Sequence, residues 1–387
     1  VRHFQALSAE PDLFLHPPED IRRDTDPELR AVALGATLYT PGIRPDLVRD
    51  VSRQAAAGAG AVVLCVEDSV ADADLPEAEQ HVIDALHTLS THDEATLPQL
   101  FVRVRTPEHL TDVLGRCSDA ALGVLSGVVL PKFENPGDAG LAWFDALDAV
   151  NARLDDTHRL LVMPILESPR IIRRETRTRA LADIRRLLLD RRRDVLAVRI
   201  GATDLSSVFG LRRPVDLTVY DVQVLASVIG DVVNVLGRSQ GGFVVTGTVW
   251  EHFPDAERMF RPRLRTTPFE QAGDLALRRR LLLDGFDGLL REVSLDRANG
   301  LIGKTVIHPR HVPVVNALSV VSHEEFADAS DVLATDGGGV AASRYRNKMN
   351  EMKPHHFWAE RTLLRARAFG VAAPDVGFVD LLERSLP

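Results

Sequence analysis

The chain has 387 residues, 45% of them apolar, and a formal net charge of −9. That length suits one β/α barrel with additions, and the acidic balance disfavours a general nucleic-acid binder. No apolar run approaches a membrane span, and Cys65 and Cys117 are too few for a disulfide framework or a thiolate zinc site. Val1-Arg2-His3-Phe4 does not open a signal peptide, so the expectation is a cytoplasmic protein that binds neither membrane nor nucleic acid.

Residues 1–33 are rich in Pro and Asp and predict an irregular extension packed on the main domain. Short apolar runs then recur, each with a polar tip and several with a proline starting the next helix. The first is Leu34 to Gly42, carrying Tyr39 and Pro41 at its end. The second is Ala61 to Val66, followed by Glu67-Asp68-Ser69. The third is Leu100 to Arg105, the fourth Gly127 to Leu130 with Pro131-Lys132 at its tip. The fifth, Leu160 to Leu166, stops at Glu167. The sixth, Val195 to Gly201, stops at Asp204. The seventh is Gly242 to Thr246 and the eighth Thr305 to Pro309, with His308 near its end. Eight such units predict a (β/α)₈ TIM barrel over 34–320. A doubly wound open sheet fits less well, because no Gly-rich dinucleotide turn follows the first strand.

In such a barrel the strand tips share one mouth, where ligands sit. Glu167 and Asp204 close adjacent strands around a helix expected over Arg170 to Leu189. Two carboxylates there suit a hard cation such as Mg²⁺ or Mn²⁺. Ser168-Pro169 offers its own helix start, which leaves Glu167 free to face the mouth. Arg103 and Arg105 alternate on one strand and are expected to point the same way. With Glu67, Asp68 and Lys132 they make a mixed-charge rim suited to a small anionic substrate bridged to a metal. Arginine dominates the cations: lysine stands only at Lys132, Lys304, Lys348 and Lys353. Such bias marks the surviving lysines as positions where a compact ammonium is needed.

Beyond the barrel, residues 321–387 predict a helical arm. Ser322 to Leu333 reads as one helix, Asp336-Gly337-Gly338-Gly339 as a flexible break, and Ala341 to about Gly370 as a second helix interrupted at Pro354. The arm is expected to cover the mouth of a neighbouring subunit.

Taken in order, Leu38-Tyr39-Thr40-Pro41-Gly42, Val66-Glu67-Asp68-Ser69-Val70, Val102-Arg103-Val104, Leu130-Pro131-Lys132, Leu166-Glu167-Ser168, Gly201-Ala202-Thr203-Asp204-Leu205 and Gly303-Lys304-Thr305-Val306-Ile307-His308-Pro309 resemble the citrate lyase β-subunit-like proteins of the HpcH/HpaI aldolase and citrate lyase superfamily. The resemblance spans roughly residues 34–334. It implies a Mg²⁺-dependent carbon–carbon lyase, with Glu167 and Asp204 on the metal, Arg103 on the substrate oxygens, and a homo-oligomer, trimer or hexamer. Around these, Glu67, Asp68 and Lys132 stand as catalytic candidates, and Arg105, Tyr39, Pro41, His308 and Asn350 as substrate-binding ones. Three departures bear on the substrate. Cys65 stands where the family has Asp, Arg105 where it has Asn, and a C-terminal acid is replaced near Asn350. They argue against citryl-CoA or malyl-CoA and leave use of a CoA thioester open. For the base that takes the hydroxyl proton, His308, Glu67 and a metal-bound water are all compatible with the sequence. Two rival readings are a metal-dependent barrel acting on phosphorylated or enolpyruvate-type substrates, gripped by Arg103 and Arg105, and a barrel that has lost catalysis and serves as a binding subunit.

Overall fold

A computed structural model describes residues 1–7, 10–253, 286–335 and 338–385. Eight parallel strands close into a barrel in sequence order. We number them β1 (Ala36–Pro41), β2 (Ala61–Cys65), β3 (Gln99–Arg103), β4 (Leu125–Leu130), β5 (Leu161–Leu166), β6 (Val198–Ile200), β7 (Val245–Trp250) and β8 (Lys304–Val306). The open-sheet alternative is thereby excluded.

Closure turns strand alternation into an inside and an outside. Ala61, Val63, Phe101, Val129, Leu161, Met163 and Ile165 form one buried cluster in the lumen. Their neighbours, such as Val62, Leu100, Val128 and Val162, join the larger core beneath the surrounding helices. Two residues beyond each lumen position lies the next lumen position. Val63 therefore leads to Cys65, Phe101 to Arg103 and Ile165 to Glu167. The register pairs Cys65 with Arg103 and Ile165 with Arg199.

Several local expectations shift. The extension contains a capped helix, Pro27–Val32, and a strand, Phe14–His16, which pairs antiparallel with Val371–Ala372. The helix after β5 is two pieces, Pro169–Ile172 and Arg174–Asp190. The break is held by Arg177, whose guanidinium donates to the Ile171 and Ile172 carbonyls that end the first piece, at 2.9 and 2.6 Å. β7 runs well past Thr246, because Gly242 and Phe243 belong to the approach to the strand.

The arm differs most. Helix His323–Ala334 starts at a Ser322/Glu325 capping box. A hairpin, Val340–Ala342 with Met349–Glu351, replaces the start of the second helix, and Pro354 falls in the first turn of Met352–Phe369, where a missing N–H costs nothing. Of the expected glycine hinge, Asp336 and Gly337 lie outside the described residues. Gly338 and Gly339 adopt φ of +92° and +121°. Helix Met352–Phe369 lies against its own barrel at the N-terminal strand ends. Arg361 donates to the Gly237 carbonyl ahead of β7, and Phe369 packs by Gly35 ahead of β1. Among the described residues no helix is long and apolar enough to cross a membrane.

His3 ties these parts together. Its Nε2 donates to the Ala33 carbonyl at 2.8 Å and its ring stacks on Phe369, with centroids 4.4 Å apart. Burial pushes its pKa down to about 4. An unfolded histidine titrates near 6.5, so between pH 6.5 and 4 the unfolded chain takes up a proton that the native chain refuses. Stability contributed by neutral His3 is therefore full above pH 6.5 and lost as pH falls through that window. His3→Gln keeps a donor for Ala33, and should flatten this part of a melting-temperature profile recorded from pH 7 to pH 4.

Candidate active site

The lumen positions rise to a cavity of about 360 Å³ at the C-terminal strand ends. Tyr39, Arg103, Glu167, Arg199 and Asp204 line it, with Pro41, Cys65 and Thr305. Arg103 is mostly buried. Its Nη2 lies 2.9 Å from Glu67 Oε2 and 3.2 Å from Glu167 Oε1, and its Nε has no hydrogen-bond partner among the described residues. Lys132 reaches over from β4: its Nζ lies 2.6 Å from Glu67 Oε1 and 2.9 Å from Asp68 Oδ2. The Lys132 backbone sits in the left-handed region, φ +48°, and turns its main-chain N–H onto Glu167 Oε1 at 2.9 Å. One residue thus serves the two acidic tips by different groups.

Glu167 is the most constrained member. Burial pushes its carboxyl up to about 7; Arg103 opposes this and the Asp204 charge adds to it. Its Oε2 leans over Gly201, where a Cβ would meet it at 2.0 Å. Asp204, half-buried in the first turn of Ala202–Ser207, has no ion-pair partner among the described residues. Two carboxylates that repel across one cavity wall, one lifted toward neutrality and one unengaged, are a donor set that a hard divalent cation would satisfy. Among the described residues no cluster of three or more His, Cys, Asp or Glu is spaced to hold a metal. Such a cation would therefore keep most of its ligands as water and substrate oxygens, as Mg²⁺ commonly does.

Lys132 is held above its usual pKa: burial opposes the charge, and Glu67 and Asp68 more than offset that. It stays an ammonium and cannot act as a base. Asp68 is held below the usual carboxylate range, burial again opposing and the Lys132 contact prevailing.

A family model described as the C–C bond lyase of the TIM-barrel fold matches residues 28–371. The chain belongs to this lyase family. An L-malyl-CoA/β-methylmalyl-CoA lyase of Rhodobacter capsulatus is 23% identical over 345 residues, covering 84% of this chain and 92% of the relative. A citrate lyase structure from Burkholderia xenovorans LB400 matches with a TM-score of 0.58 at 16% identity, covering 90% of this chain and 96% of its own. CitE of Mycobacterium tuberculosis, solved with magnesium, acetoacetate and coenzyme A, matches with a TM-score of 0.52 at 22% identity, covering 87% and 99%. The two structures share the fold.

In this C–C bond lyase the sequence-derived residues divide. Arg103, Glu167, Asp204, Tyr39, Pro41 and Asp68 line the cavity, and Glu67 and Lys132 bind to its wall. Arg105 does not join them. β3 ends at Arg103, so the alternation stops there, and Arg105 turns outward to the Val66 and Val70 carbonyls and to Asp72 at 2.5 Å. A paired arginine grip on phosphate has no counterpart. His308 stacks on Phe253, with centroids 5.5 Å apart, accepts from the Arg310 N–H, and is absent from the cavity lining. Asn350 is buried in the arm hairpin, and donates to Asp328 at 2.9 Å; within this chain it does not reach the mouth. Ser168 occupies the N-cap position, but its hydroxyl makes no cap and is buried without a partner among the described residues.

Two features escaped the sequence reading. Arg199 is buried in the lumen, and its charge inside the run Val195 to Gly201 was the available signal. Thr203 donates to Glu251 at 2.5 Å, joining the tips of β6 and β7 beside Asp204. Gly201 yields the prediction. Gly201→Ala pushes the Glu167 carboxylate off its seat, and displacement by about 1 Å at a reacting centre costs on the order of 10²-fold in rate. Turnover should fall by that order while circular dichroism keeps the barrel signature.

Proposed function

We propose that this protein is a divalent-cation-dependent lyase that cleaves the carbon–carbon bond of a small anionic 3-hydroxy acid or its acyl thioester, leaving an enolate. The observation that carries the reading is the convergence of Glu167, Asp204 and Arg103 on one cavity in a member of a carbon–carbon bond lyase family. Glu167 and Asp204 would hold Mg²⁺ or Mn²⁺, which supplies Lewis-acid polarisation of a substrate carbonyl. CitE's magnesium and coenzyme A support both the cation and a possible thioester carrier in this chain.

The chain's own residues account for the rest. In the cleavage a base takes the hydroxyl proton, the O–H electron pair becomes the carbonyl of the departing fragment, the carbon–carbon bond electrons collapse onto the adjoining carbonyl, and negative charge grows on its oxygen. Arg103 presents a permanently charged fork to that oxygen, with an unused Nε donor in addition to Nη2. Glu67 holds Arg103, and Lys132, bound to Glu67 and Asp68, offsets the charge of that acid pair toward the substrate's carboxylate. The arm of this chain lies at the far end of its own barrel, so a cover over the mouth would come from a second copy in a homo-oligomer.

Glu167→Gln and Asp204→Asn should each abolish Mg²⁺-dependent turnover and remove the calorimetric signal for Mg²⁺ binding, with melting behaviour retained. Binding that survives both substitutions rejects the metal assignment. Arg103→Lys keeps the charge but loses the planar fork, and should lower kcat by on the order of 10²–10³. Assays with free 3-hydroxy acids beside their CoA thioesters decide the carrier.

A further inference from the structure

Arg199 stands at the floor of the cavity, 2% exposed. β6 places it there: Ile165, its register partner, lies two residues below Glu167, about 7 Å along the strand. Its guanidinium reaches the Thr305 hydroxyl and lies 3.9 Å from Met163 Sδ and 5.5 Å from the centre of the Tyr39 ring. None of these is an anion. Other deeply placed cations of this barrel are matched: Arg103 by Glu67, Arg177 by Asp231, Arg213 by Glu292, and Lys304 by Glu292 and Asp296. Arg199 meets no carboxylate within ion-pair distance among the described residues. A buried cation without a counter-ion is costly, and its persistence on a cavity wall points to an anion supplied from outside.

We propose that Arg199 binds a second carboxylate of the substrate, so that this site takes dicarboxylates in preference to monocarboxylates. The inference rests on the lyase reading and adds the substrate class to it. One end of the ligand lies at the Glu167–Asp204 wall beside Arg103. The other descends between Tyr39 and Thr305 onto the Arg199 fork, which is suited to two parallel hydrogen bonds with a carboxylate.

The test uses the full chain with saturating Mg²⁺ and two acids that share a 2-oxo acid head. Oxaloacetate ends in a carboxylate and 2-oxobutanoate in a methyl group. By calorimetric titration the wild-type protein should bind oxaloacetate more tightly. Arg199→Met removes the charge while filling the space, an exchange that buried ionic sites tolerate. It should weaken oxaloacetate on the order of 10–100-fold, the loss expected for a hydrogen bond to a charged group, and leave 2-oxobutanoate unchanged. Arg199→Lys, which keeps a cation should the Met variant fail to fold, should retain part of the preference. Equal binding of both acids by the wild type, or equal loss of both in either variant, overturns the proposal while leaving the lyase reading in place. If the wild type binds neither acid with Mg²⁺ or Mn²⁺, the lyase reading itself falls.

Discussion

The buried carboxylate of Glu167 is the constraint on which the site depends. An ionised acid in a lumen of Phe101, Met163 and Ile165 is expensive, so every neighbour must be in place for it to persist. Barrel closure fixes its direction, because two residues beyond Ile165 is inward again. Gly201 gives it room, the twisted backbone of Lys132 gives it an N–H, and Arg103 gives it a charge. These partners come from three strand ends other than its own, so the site exists only once the barrel has closed. What they do not cancel is the repulsion from Asp204, and under the proposed function that residual imbalance is where a cation would sit.

The same chain uses charge in a second, structural way. On the flank of the barrel, Lys304 is fully buried with its Nζ 2.8 Å from Glu292 and 2.7 Å from Asp296. Arg213 and the Val219 N–H complete Glu292, and the Tyr220 hydroxyl completes Asp296 at 2.8 Å. Two cations face two acids, and the network pins β8 to helix Asp287–Ala298. Removing one partner there would leave an uncompensated buried charge, a loss of about 3–5 kcal/mol. The mouth and the flank are thus told apart by balance. The flank network is closed on itself, whereas among the described residues the mouth leaves Asp204 without an ion-pair partner and Arg199 without a carboxylate.

Much of this was legible in the sequence because two signals survive folding without reference to partners. Short apolar runs with polar tips repeat eight times, and alternation within a run fixes which side chains face inward. That is enough to place Glu167, Asp204, Arg103 and Tyr39 together. It fails where a strand ends. Arg105 keeps the spacing of Arg103 but lies beyond the last ladder pair, so its direction follows hydrogen bonds to the loop after β2. The arm was misread for a related reason. Residues 340–351 carry no apolar period, and their hairpin is held by tertiary contacts such as Asn350 to Asp328 and Lys348 to Glu324. The scarcity of lysine was an informative signal of mixed kind: Lys132 sits at the mouth, whereas Lys304 serves the flank.

Charge balance connects these observations. In and around the cavity stand four acids, Glu67, Asp68, Glu167 and Asp204, and three cations, Arg103, Lys132 and Arg199. Fully ionised, the set carries one net negative charge and repels an anionic substrate. In the proposed function a divalent cation held by Glu167 and Asp204 would reverse the sign and favour carboxylates in the cavity. Under that proposal the electrostatics favour the cation binding before the anion. The distribution matters as much as the sum. The negative excess lies at the rim and the uncompensated positive charge at the floor, so the field inside the barrel runs along its axis and would orient a molecule with charge at both ends. The flank network differs in that its buried cations and acids are matched within the chain.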